Sequence, residues 1–176
     1  MPTEVRVDPY QWLKSESRWD RLGPFYEGDP DMERGTPTHT HVWGGNFGAH
    51  AYDFILPEGA WIHAMVSARL SSEHPWYSSP LNHFSDATLA LNGRDYPSKR
   101  VIPDNGSGQF YTWRIDPHDL RQGRNVLRLG VKKNAIYRNG LCIYRRALVP
   151  SETDCAIVIR ISAAEDISQE TPDEGQ

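Results

Sequence analysis

"DATLALNGRDYPSKR", residues 86–100, decides how the chain is read. Ala87, Leu89 and Leu91 alternate with Thr88, Ala90 and Asn92, the period of two that a half-buried strand requires. Asn92-Gly93 follows at once. These two residue types tolerate positive φ at both centres of a two-residue hairpin turn. Residues 95–102 then return either as a second strand or as an irregular segment.

The same period recurs on both sides of this hairpin. In "AWIHAMVSARLS" (60–71), Ile62, Ala64, Val66, Ala68 and Leu70 make one face, and Trp61, His63, Met65, Ser67 and Arg69 the other. Further strands are expected over 50–57, 109–116, 125–133, 140–149 and 155–162. Short strands with turn signals and no helices between them give antiparallel sheets packed face to face, an all-β sandwich. The expected core adds Leu89, Leu91, Leu127, Leu129, Val131, Ile157, Ile159 and Ile161 to the aliphatic face of 60–71.

Composition narrows the class. The 176 residues suffice for one domain with a sizeable core. The 14 glycines and 13 prolines suit a loop-rich β protein. No apolar run reaches the ~20 residues of a membrane helix. "MPTEVRVDPYQW" lacks an apolar signal core, which places the chain in the cytoplasm unless it is cut from a secreted protein. The net charge of −4 is carried by the end: residues 163–176 hold five acids and no base. This tail is expected to be disordered, and residues 1–162 to form the single domain. The remainder carries 18 acids against 19 bases, too little positive charge for nucleic acid as the main partner. Asp8, Pro9 and Gly23 frame an expected short helix over 8–23, with Trp12 and Trp19 on one side. Residues 24–49 read as loop with one strand at most. Cys142 and Cys155 read as two buried thiols, with a cross-strand disulfide as the alternative.

The order of segments resembles a known family. "FILPEG", "ATLALNG", the aromatic strand ending "WRIDPHDLRQGRNVLRLGV" and the final "AIVIRI" are similar to the galactose-binding-like jelly roll, over about residues 50–162. That sandwich occurs in carbohydrate-binding modules and in accessory domains of glycosidases and polysaccharide lyases. Its local chemistry is legible here. Asp116 can cap a single turn through Leu120, and Gly123 permits the reversal into Leu127, Leu129 and Val131.

With 95–102 as a strand, the loops at 35–49, 72–86, 103–108 and 133–139 gather at one end. The turns at 57–59, 93–94, 117–124 and 150–154 gather at the other; with 95–102 irregular, the later loops change ends. The loop-rich end carries the candidate ligand surface: Trp43, Trp76, Tyr77, His83, Tyr137 and Arg138. A pyranose stacks its C–H face on a flat aromatic ring and needs amides, imidazole or guanidinium for its hydroxyls. "EHPWYSSPLNHF" (73–84) supplies both kinds of group. Trp76 serves there either as a sugar platform or as a plug closing the sandwich. Trp12, Trp19, Trp61 and Trp113 are assigned to packing.

Other chemistry is thinner. In "THTHVWGG", His39 and His41 share one face if extended, the spacing of metal ligands in cupins, but Gly44 and Gly45 stand where a cupin glutamate would be. His50, His63 and His83 are the available third ligands. Asp104 in "DNGSG" is a minimal hint of structural calcium. No nucleophile elbow and no catalytic carboxylate pair is distinguishable. The leading reading is a non-catalytic, cofactor-free module that binds carbohydrate. The alternatives are a structural or protein-interaction sandwich and a metal-dependent cupin-like enzyme on His39 and His41.

Overall fold

The computed structural model describes residues 3–9, 11–15, 39–42, 48–72, 84–102, 108–132, 140–144 and 156–163, with Ser15, His39 and His41 described in backbone only. Its strands are β1 (Thr3–Val7), β2 (Lys14–Ser15), β3 (His39–Val42), β4 (Ala49–Leu56), β5 (His63–Ser71), β6 (Ser85–Leu91), β7 (Arg94–Val101), β8 (Gln109–Ile115), β9 (Gly123–Val131), β10 (Leu141–Tyr144) and β11 (Ile157–Ser162). They make two antiparallel sheets. One runs β2-β4-β9-β6-β7, and the other holds β8, β5, β10, β11, β3 and β1. No helix among the described residues is long and apolar enough to cross a membrane.

The inward positions of both sheets meet in one core. Tyr52, Phe54, Leu89, Leu91, Leu127 and Leu129 come from one side, and Val66, Leu70, Trp113, Ile115, Ile157, Ile159 and Ile161 from the other. Ile62 departs from the expected core, at 47% exposure. The ladder of β5 begins only at His63, and the chain before it turns Trp61, not Ile62, onto the core. Gly59 makes room for that indole: a Cβ there would lie 2.8 Å from the ring.

The hairpin of β6 and β7 closes through Asn92 at φ 50 and Gly93 at φ 87, the pair of left-handed residues that matches strand twist. β7 is a strand despite Pro97. Ala87 pairs with Lys99 and Leu89 with Tyr96, so Pro97 and Ser98 together face Thr88 in a bulge on the sheet's edge. An edge bulge is where a residue lacking its N–H costs no ladder bond.

Asn92 also reaches the next strand, donating to Asp119 O and Asn125 Oδ1, both at 2.8 Å. Asn125 is fully buried. Its Oδ1 also accepts from Arg121 N, and its Nδ2 donates to Arg121 O and Gly123 O. All four hydrogen-bonding positions of the amide are filled. Asn125→Ala is expected to destabilise the fold by at least about 1–3 kcal/mol, the cost of one stranded buried group, read by urea denaturation.

The helix expected over 8–23 is not what residues 8–15 form. Asp8 O accepts from Gln11 N at 3.0 Å in a single turn, and β2 then pairs with β4. Tertiary contacts override the local capping signal: Tyr52 OH donates to Pro9 O at 2.8 Å, and Trp12 stacks on His50 at 4.6 Å. A short helix is marginal without such packing, and here the packing favours the extended chain. Residues 16–23, with Trp19, lie outside the described residues, as do Cys155 and the tail from 164 on. Cys142 is buried.

One placement departs from expectation. Leu70 of β5 pairs with Gln109 of β8 on one side and Ile143 of β10 on the other. β11 occupies that second side further along β5, from Ser67 to His63. β10 and β11 therefore lie in tandem on one edge of β5, both antiparallel to it. Residues 145–155 between them, with the expected turn at 150–154, lie outside the described residues.

Candidate ligand-binding end of the sandwich

Strand direction fixes which connections share an end. β3, β5, β7 and β9 all finish at one end, and β4, β6, β8 and β10 all start there, because each consecutive pair reverses. Since β7 is a strand, the connections 43–47, 73–83, 103–107 and 133–139 spring from this end, as the parity argument required.

The described bases of these connections are tied to one another. Ser85 Oγ donates to Gly140 O at 2.6 Å, while Ser72 O lies further off at 3.4 Å. Ser72 N donates to Ile102 O, and Ile102 N donates to the Tyr111 hydroxyl at 3.1 Å. Val131 N bonds Gly48 O and Lys132 N bonds Asp86 O. Gly108 stands at φ 69, and a Cβ there would come within 2.8 Å of both Leu70 O and the Tyr144 ring. That close approach needs glycine.

The candidate residues Trp43, Trp76, Tyr77, His83, Tyr137 and Arg138 lie outside the described residues, and so does Asp104. Among the expected packing tryptophans, Trp113 is 2% exposed and its Nε1 donates to Pro97 O at 2.9 Å. His50 is buried facing inward, with Nε2 3.0 Å from Thr40 Oγ1 across the sandwich. His63 starts β5 at the far end.

Two aromatic–cation pairs at the rim were not expected. The Arg69 guanidinium lies 4.5 Å from the Phe110 ring centroid while its Nη1 donates to Gly108 O, and Arg100 lies 5.1 Å from the Phe84 ring. Phe110 is 43% exposed. The signal was available: Tyr111, Trp113 and Ile115 take the inward parity of β8, which leaves Phe110 outward.

The opposite end is a structural knot. Asp119 accepts from Arg94 Nη1 at 3.2 Å and from the Tyr96 hydroxyl, which in turn accepts from Asp116 N. Asp116 caps the turn Pro117–Asp119 through His118 N, as the sequence implied. That N–H first, and then the His118 side chain, holds the Asp116 carboxyl below its usual range. Burial, and then the bond to Asp119, pushes the Tyr96 hydroxyl up to about 12. Below pH ~10 the phenol is neutral whether the chain is folded or not, and its contribution is complete. Above that, the unfolded chain releases the proton that the folded chain keeps, so stability falls as pH rises towards about 12. Urea denaturation across this window should show a steeper alkaline loss for the wild type than for Tyr96→Phe. Equal slopes would remove Tyr96 from the network.

No protein-family model and no curated protein sequence matches the chain. Solved structures do. A family 35 carbohydrate-binding module from Cellvibrio japonicus superposes with a TM-score of 0.54 at 10% identity, covering 92% of this chain and 95% of that one. A family 35 carbohydrate-binding module from Clostridium thermocellum does so with a TM-score of 0.52 at 11% identity, covering 89% and 97%. The fold is the galactose-binding-like jelly roll. Coverage of 89% and 92% exceeds the share of the chain from residue 50 onward, so these likenesses extend into the first 49 residues.

Proposed function

We propose that this galactose-binding-like jelly roll is a non-catalytic module that binds carbohydrate at the loop-bearing end. Trp43, Trp76 and Tyr77 offer stacking surfaces there, and His83, Tyr137 and Arg138 hydrogen-bonding groups. The observation that carries the reading is the likeness, over about nine-tenths of the chain, to structures solved as carbohydrate-binding modules. The hydrogen bonds among the described bases of these connections support it physically, since a shallow sugar contact gains from a preorganised scaffold. The role requires neither a cofactor nor a catalytic group. The test is a glycan array on the purified chain, followed by titration of any soluble hit. Saturable binding of at least one glycan is expected. Failure to bind across neutral and acidic glycans would leave the protein-interaction reading in its place.

A further inference from the structure

The turn that closes β6 and β7 carries a reactive dipeptide. In Asn-Gly the second residue has no side chain, so its backbone nitrogen can approach the asparagine amide carbon unhindered. Gly93 is exposed, and nothing lies within 4 Å of the position that a Cβ would take there. Asn92 itself is only partly covered. Hydrogen bonds restrain it more than burial does. Its Nδ2 donates to Asp119 O and to Asn125 Oδ1, both at 2.8 Å, and its Oδ1 accepts from Val126 N at 2.9 Å. Its backbone N–H donates to Val126 O at 2.8 Å. The amide is thus tied to β9 and to the turn Pro117–Asp119, and rotating it onto Gly93 N breaks all three side-chain bonds.

From this geometry we infer that Asn92 is a deamidation site, closed in the native fold and exposed when the β6–β7 turn opens. With the turn open, Gly93 N gives its proton to hydroxide and attacks Asn92 Cγ. The Cγ–Nδ2 bond breaks, the nitrogen takes a proton from water and leaves as ammonia, and a succinimide ring remains. Water then cleaves one of the two ring C–N bonds, giving aspartate or isoaspartate. Neither product rebuilds the joint. A carboxylate has no N–H to donate, so Asp119 O and Asn125 Oδ1 lose this donor and face a negative charge. Asn125 Oδ1 keeps Arg121 N as a donor, but it lies in a fully buried side chain, where repulsion is little screened. Isoaspartate also adds a methylene to the main chain of a two-residue loop, whose length sets the strand register. A molecule that stays open there long enough gains a negative charge and returns to a weaker fold. This inference is independent of the carbohydrate reading, and loss of glycan binding would leave it standing.

The test incubates the whole chain at one mildly alkaline pH, in buffer and in urea above its unfolding midpoint. Peptide mapping then resolves aspartate and isoaspartate at each asparagine. Asn105-Gly106 and Asn139-Gly140 share the dipeptide and report its intrinsic rate in urea, where Asn92 should react as fast as they do. In buffer Asn92 should react at least about 10-fold more slowly than in urea, the protection given by three hydrogen bonds that must all break. Equal rates at Asn92 in buffer and in urea overturn the closed site. Asn92→Asp, which stands for the aspartate product, should unfold at a lower urea concentration than the wild type, and failure to fold is the same result in the extreme. An unchanged midpoint for Asn92→Asp overturns the claim that deamidation weakens the fold.

Discussion

Leu129→Ala is expected to lower the unfolding free energy by about 2–5 kcal/mol. Leu129 sits in β9 between His50 of β4 and Leu89 of β6 and has no exposed surface. Strands on both sides of β9 leave little freedom for the neighbours to collapse into the vacated volume, which favours the upper part of that range. The lost methyl groups and the residual cavity act in the same direction. In urea the midpoint should fall with the slope unchanged, the mark of lower stability without a change of surface exposed. A change near zero would put Leu129 on the surface, and the register of the whole β2-β4-β9-β6-β7 sheet with it.

Trp76→Ala is expected to abolish binding of whichever soluble glycan the wild type takes, at an unchanged melting temperature. A stacked indole supplies a large share of a shallow sugar contact, whereas each rim hydrogen bond nets only about 0.5–1.5 kcal/mol. If the ring instead closes the end of the sandwich, truncation should cost roughly 3–5 kcal/mol of stability. Melting and titration on the same variant separate these cases. A destabilised Trp76→Ala from a parent that binds no glycan would end the carbohydrate reading.

The core was legible because burial on one sheet face imposes a period of two, and Leu89, Leu127, Leu129 and Ile159 report it independently. The turn at Asn92-Gly93 and the cap at Asp116 were legible for local reasons: one needs positive φ, the other an oxygen for an N-terminal N–H. Ile62 misled because parity was extended past the true start of β5, where Trp61 takes its place. The N-terminus misled because Asp8 and Pro9 signal a turn equally well, while the pairing of β2 with β4 depends on residues distant in the chain. Thr3, Val5 and Val7 alternate with Glu4 and Arg6, so β1 could have been found by the period used elsewhere. The tandem placement of β10 and β11 leaves no local mark, since their own patterns suit either direction. Of the site, parity located the loop-bearing end, conditional on β7, and the proposed ligand residues rest on side-chain chemistry.

The pairing of β1 with β11 sets the order in which this molecule can be finished. Glu4 and Arg160, 2.6 Å apart in the native state, stand 156 positions apart in the chain. During synthesis at ~5–20 residues per second, β1 leaves the ribosome roughly 8–30 s before its partner exists. Until then it is a five-residue strand without a ladder. β5, already made, keeps one edge open along the stretch that β11 will cover, and an open edge invites pairing with another nascent chain. Closure of so long a loop costs entropy before any contact offsets it. Slow or stalled translation near residue 157 therefore prolongs the most aggregation-prone interval in the life of the chain.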